Sequence, residues 1–77
     1  MNLLLDALRK IYEGEIAAAR ANINVYTTNP VGIGEHPNLV AAIDSEVEKL
    51  ADATDKLNVL RTNYLEKKVN NPTGGVG

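Results

Sequence analysis

The sequence predicts an all-α fold: an antiparallel two-helix hairpin over residues 2–28 and 37–68, joined by a rigid Gly/Pro connector and followed by a disordered C-terminal tail. Three observations predict it. Two long segments carry apolar residues at helical spacing. A short stretch rich in proline and glycine, "TTNPVGIGEHPN", lies between them. The apolar positions of the two segments also match in reverse order about that stretch, as a folded hairpin requires. The hairpin forms one domain, residues 1–68, and residues 69–77 are its tail.

In the first segment Leu5, Leu8, Tyr12, Ile16, Ala19, Ile23 and Tyr26 are separated by steps of three or four and form one stripe. Leu4 and Ile11 stand at its edge. Asp6, Lys10, Glu13, Arg20 and Asn24 point elsewhere, and Gly14 falls on the polar side, where it weakens the helix. Asp6 is placed to pair with Arg9 or Lys10.

The connector is turn chemistry. Pro30 disfavours a helical conformation at Asn29, so the first helix should stop near Thr27 or Thr28. Gly32 and Gly34 let the chain reverse without a steric penalty. Pro37 suits the first turn of the second helix, where its missing N–H costs nothing.

In the second segment Val40, Ile43, Val47, Leu50, Thr54 and Leu57 keep the helical spacing, Leu60 and Tyr64 continue it, and Ala53 sits beside it. Acidic residues gather toward its start and Arg61, Lys67 and Lys68 toward its end, which complements the helix dipole. Folding about the connector pairs Leu5 with Leu60, Leu8 with Leu57, Tyr12 with Ala53, Ile16 with Leu50, Ala19 with Val47 and Ile23 with Ile43. Past Val69, "NNPTGGVG" has almost nothing to bury, hence the tail.

Composition narrows the function. A chain of 77 residues sits near the size at which one core gives only a few kcal/mol, so reinforcement is expected. There is no cysteine and a single histidine, which excludes disulfides, thiolate metal sites and the common structural zinc sites. A net charge of −2 and the lack of a basic cluster argue against nucleic acid. No apolar run reaches the roughly 20 residues of a membrane span, and "MNLLLDAL" lacks the features of a signal peptide. The expected compartment is the cytoplasm. No cofactor, metal or small-molecule substrate is implied.

Each candidate site has a plainer role. "GIGEH" resembles an anion-binding nest, but it lacks the Lys-Ser/Thr of a phosphate loop and a preceding strand. Glu35 and His36 are adjacent, and adjacent residues rarely converge on one ligand; a capping or surface role fits His36 better. Glu13 and Glu15 do not face each other on a helix. The hydroxyl of Thr54 can bond back to the Leu50 carbonyl, and Tyr12, Tyr26 and Tyr64 fall at seam positions. No nucleophile stands with a base and an orienting group, so an enzyme is not expected. The remaining candidate is a partner-contact loop of Val31, Ile33, Glu35 and His36, with Ile33 at its tip.

Charge and size point to association. Residues 1–28 are neutral overall, residues 35–55 carry a net −5 and residues 56–68 a net +3. Two hairpins packed antiparallel would set acidic halves beside basic ones. Leu4, Ile11, Ala18 and Val25 fall seven apart as a second column, and Ala53 and Leu60 are expected to do the same on the second helix. A homodimeric four-helix bundle, or docking on a larger protein, is the expectation.

The run "NPVGIGEHP" and the following "VAAIDSEVEKLA" resemble small uncharacterised proteins of T4-like marine phages, including cyanophages, over roughly residues 11–61. The resemblance implies a virus-encoded accessory protein in the host cytoplasm or assembled into a particle, and it brings no functional residues. The expected function is a non-enzymatic structural or interaction protein. The alternative is a small regulator that binds and modulates a host enzyme or transcription protein.

Overall fold

A computed structural model describes residues 2–29 and 38–65, and within them the chain is two helices packed side by side. Helix α1 spans Leu3–Thr28 and α2 spans Leu39–Leu60, continued by a π-helical turn at Arg61–Leu65. Among the described residues there is no strand.

Each helix begins at an asparagine. The Asn2 side chain accepts from the N–H groups of Leu4 at 2.7 Å and Leu5 at 3.2 Å. Asn38 accepts from Ala41 N–H at 2.9 Å. Each satisfies donors that a helix start leaves without an intrahelical partner. The second helix therefore begins at Leu39, later than the expected Pro37, because Asn38 occupies the capping position. Helix α1 stops as expected. The Thr27 and Thr28 hydroxyls donate to carbonyls one turn back, and the Asn29 N–H closes on Val25 O at 2.8 Å. The connector from Pro30 to Pro37 and the expected tail lie outside the described residues.

The reversed order of the hairpin is borne out by contacts across it. The Lys56 ammonium lies 5.6 Å from the centre of the Tyr12 ring. Ten residues further along α1 and ten back along α2, Asn22 donates to Glu46 at 3.1 Å. The inward positions of α1 are those expected: Leu5, Leu8, Tyr12, Ile16, Ile23 and Tyr26 are half-buried and Ala19 is buried.

On α2 the seam is rotated from the expected one. It runs through Leu39, Ile43, Glu46, Leu50, Ala53, Leu57 and Leu60, again in steps of three and four. Val40, Val47 and Thr54 are exposed, off the inward side on which the expected pairing of Ala19 with Val47 places Val47. The physical reason is close approach. Ala19 and Ala53 are the two most buried of the described residues, at 2% and 1% exposure, and a small side chain at each permits close packing of the helices. Ala53 and Leu60 are consumed in this seam, so the outward column expected from them on α2 does not exist.

Tyr64 is a further correction. A regular α-helix would carry it onto the seam, but it is exposed and Leu65 is the half-buried one. A π-helical turn takes one residue more than an α turn, so positions after it fall back in phase by about one residue. The turn at Arg61–Leu65 thus replaces Tyr64 by Leu65 on the inward side.

Candidate functional site

The expected partner-contact loop, Val31, Ile33, Glu35 and His36, lies outside the described residues. The described surface offers three features instead: a cleft, a buried carboxylate and a chain of ion pairs.

The cleft opens between the helices on one face of the hairpin, with a volume of about 310 Å³. Ile16, Leu50 and Leu57 supply its apolar lining. Arg20, Thr54, Asn58 and Arg61 supply its polar lining. Thr54 lines this wall because the rotation of α2 takes it off the seam. Arg61 also reaches across the hairpin to Glu13 at 3.3 Å.

The buried carboxylate is Glu46, 6% exposed and inside the seam of α2. One oxygen accepts from Asn22 Nδ2 at 3.1 Å and the other from Lys49 Nζ at 3.1 Å. The Asn22 hydrogen bond, and after it the Lys49 ammonium, hold the carboxyl below its ordinary value. The group therefore stays ionised with both oxygens occupied, which is a structural arrangement and the reverse of what a proton donor needs. Periodicity alone had no signal for it, since a glutamate counts against a seam position. The clues were Lys49 one turn on and an asparagine at the facing level of α1.

Glu13 is a cross-helix anchor. It accepts from Arg9 at 3.1 Å on its own helix and from Arg61 on the other. Arg9 also binds Asp6, as expected, and Lys10 approaches Asp6 at 3.5 Å. The Arg9 hydrogen bond leads the interactions that lower the pKa of Asp6. On the opposite face Lys56 is shared between Asp52, at 3.2 Å, and the Tyr12 ring. Glu13 and Glu15 do not form a carboxylate pair: Glu13 joins the arginines, whereas the charge of Glu15 acts on Lys56.

Among the described residues no three His, Cys, Asp or Glu side chains converge as a metal site, and no helix is long and apolar enough to cross a membrane. No buried side-chain nitrogen or oxygen among them is left without a partner. Compared with protein-family models, curated proteins and solved structures, the chain matches none.

Proposed function

We propose that the chain is a non-enzymatic helical interaction protein, a phage-encoded accessory or assembly component that works through protein–protein contacts. The observation that carries this is where the apolar side chains lie. Four apolar residues of the described set are buried, namely Ala19, Ala53, Leu57 and Leu60, and two of these are alanines. Eight large ones are at least 43% exposed, among them Leu4, Ile11, Val25, Val40 and Val47. A hairpin that leaves eight large apolar side chains exposed outside its seam gains stability by covering them with another protein surface. The polar clusters support the same reading, because Glu46, Glu13 and Asp6 each hold a partner within the fold. The resemblance to phage proteins supplies the setting.

The test is capture of the tagged full chain from infected cells, with Ile11→Lys and Val47→Lys as controls on its two exposed faces. The expected result is a discrete complex, with a second copy or another protein, that at least one control abolishes while helix content is kept. A chain that stays alone in every fraction, or a complex indifferent to both controls, would overturn the proposal. Recovery in purified particles would point to assembly, and a stoichiometric host enzyme or transcription protein to the regulatory alternative.

A further inference from the structure

Helix α1 carries a second apolar face that α2 does not touch. Leu4, Ile11, Ala18 and Val25 recur every seven residues, and Ala7, Ala21 and Gly14, which lies on this face rather than on the expected polar side, fall between them at the alternating spacing of a helix–helix seam. All seven are exposed. At 3.6 residues per turn this face lies about a third of a turn from the seam that meets α2. No charged residue interrupts it from Leu4 to Val25.

We infer that this face is the contact surface for a second copy of the chain, the two α1 helices packing antiparallel about a twofold axis. This rests on the reading of the chain as an interaction protein and names the partner. Three observations favour the second copy. The first is self-complementarity of size. In an antiparallel pair Ile11 lies opposite Ala21 of the second copy, Ala18 opposite Gly14 and Val25 opposite Ala7, so that the larger side chain meets the smaller at each level. A parallel pair would set Ile11 on Ile11 and Gly14 on Gly14 and could not close evenly. A closed twofold contact also repeats each of these levels twice, as isologous interfaces do.

The second observation is Gly14. Glycine is the least helix-favouring residue after proline, yet this one stands mid-helix. A Cβ built on it meets nothing within 4 Å, so nothing within the hairpin requires it. Close approach of another backbone does require it. The third is extent. The face is about 30 Å long at 1.5 Å per residue and about 10 Å wide, the size of the largest apolar patches found on monomers. Two such strips make a small interface, below about 1,200 Å² in total, which suits a reversible dimer with a dissociation constant near micromolar. The charged edge of α2 next to this face, with Lys49, Asp52 and Lys56, leaves α1 to form the contact.

Sedimentation of the full chain from about 0.1 to 100 µM tests it, a span that brackets a micromolar constant. The expected result is a monomer–dimer equilibrium. Gly14→Leu adds a good helix former and should keep or raise helix content while it raises the dissociation constant at least about tenfold, a loss that a merely local role for Gly14 would not produce. Spin labels on Thr28→Cys should lie about 35 Å apart in the antiparallel dimer, against about 10 Å in a parallel one. A strictly monomeric chain, or a short label distance, would overturn the proposal. A dimer untouched by Gly14→Leu but lost with Val47→Lys would overturn this surface and leave the interaction function standing.

Discussion

At the residue scale, Glu46 and Ala53 decide the phase of the second helix. Glu46 is not recommended by hydrophobicity at all, and Ala53 offers only a methyl group, whereas Val47 is the more apolar side chain. What admits Glu46 to the seam is satisfaction of both carboxylate oxygens, by Asn22 and Lys49. Its pKa is held below the ordinary 4.5, so the stability it contributes is fully present above that value. It is lost as pH falls through the lower value of the folded state. Melting of wild type and Glu46→Gln between neutral pH and pH near 3 should show the wild type losing more of its midpoint than the variant. Asp6, whose pKa is lowered by Arg9, contributes in the same direction and will remain in the variant. Equal pH slopes in the two proteins would count against the buried pairing. Ala53 makes the complementary case. Leucine at a site only 1% exposed has no room, and overpacking of this kind costs about 1–3 kcal/mol. Val47→Ala, at a site 46% exposed, should cost well under about 1 kcal/mol. Chemical denaturation of both variants separates the observed seam from the one that runs through Val47.

At the element scale, much of the fold was legible. The alternating steps of three and four fixed two helices, and Pro30 fixed where the first one ends, because these signals are local and strong. The inward face of α1 was readable for the same reason: Leu5, Leu8, Tyr12, Ile16, Ile23 and Tyr26 are mostly large, whereas the neighbouring column of Leu4, Ile11, Ala18 and Val25 is filled in by Ala7, Gly14 and Ala21. On α2 two apolar columns compete. Val40 and Val47 mark one, and Ile43, Leu50 and Leu57 stand close to both. Only packing against α1 settles which one faces inward. The π-helical turn at Arg61–Leu65 is a tertiary choice of the same kind, and it brings Leu65 in at the expense of Tyr64. The cleft and the Glu13–Arg61 bridge were not legible, since both follow from the rotation of α2. The asparagine caps carry a clear signal in retrospect, a side-chain acceptor directly before an apolar periodic run. Asn38→Ala should remove the Ala41 N–H contact and cost about 1 kcal/mol, whereas glycine there should cost only a few tenths. Urea midpoints of the two variants give the comparison, and an alanine variant as stable as the glycine one would argue against the cap.

At the scale of the whole molecule, dimerisation through the exposed face of α1 would make stability depend on concentration. Of the large apolar side chains described, the seam fully buries Leu57 and Leu60, and the face of α1 that includes Leu4, Ile11 and Val25 stays exposed. Binding that favours the folded state raises the melting midpoint by mass action. For the wild-type chain the midpoint should therefore climb by several degrees between about 5 and 500 µM, if dimerisation is near micromolar. Gly14 separates this effect from intrinsic stability, because its two consequences have opposite signs. Replacing it by leucine removes the helix penalty of glycine, about 1 kcal/mol, which for a domain of this size is worth roughly 4–8 °C in the monomer. The same leucine blocks the close approach that a second α1 needs. The variant should thus melt above wild type in dilute solution and should show little concentration dependence, so that the two midpoint curves converge or cross as concentration rises. Parallel curves offset by a constant amount would mean that Gly14 acts only on its own helix. Flat curves for both proteins would mean that the exposed face of α1 is covered by something other than a second copy.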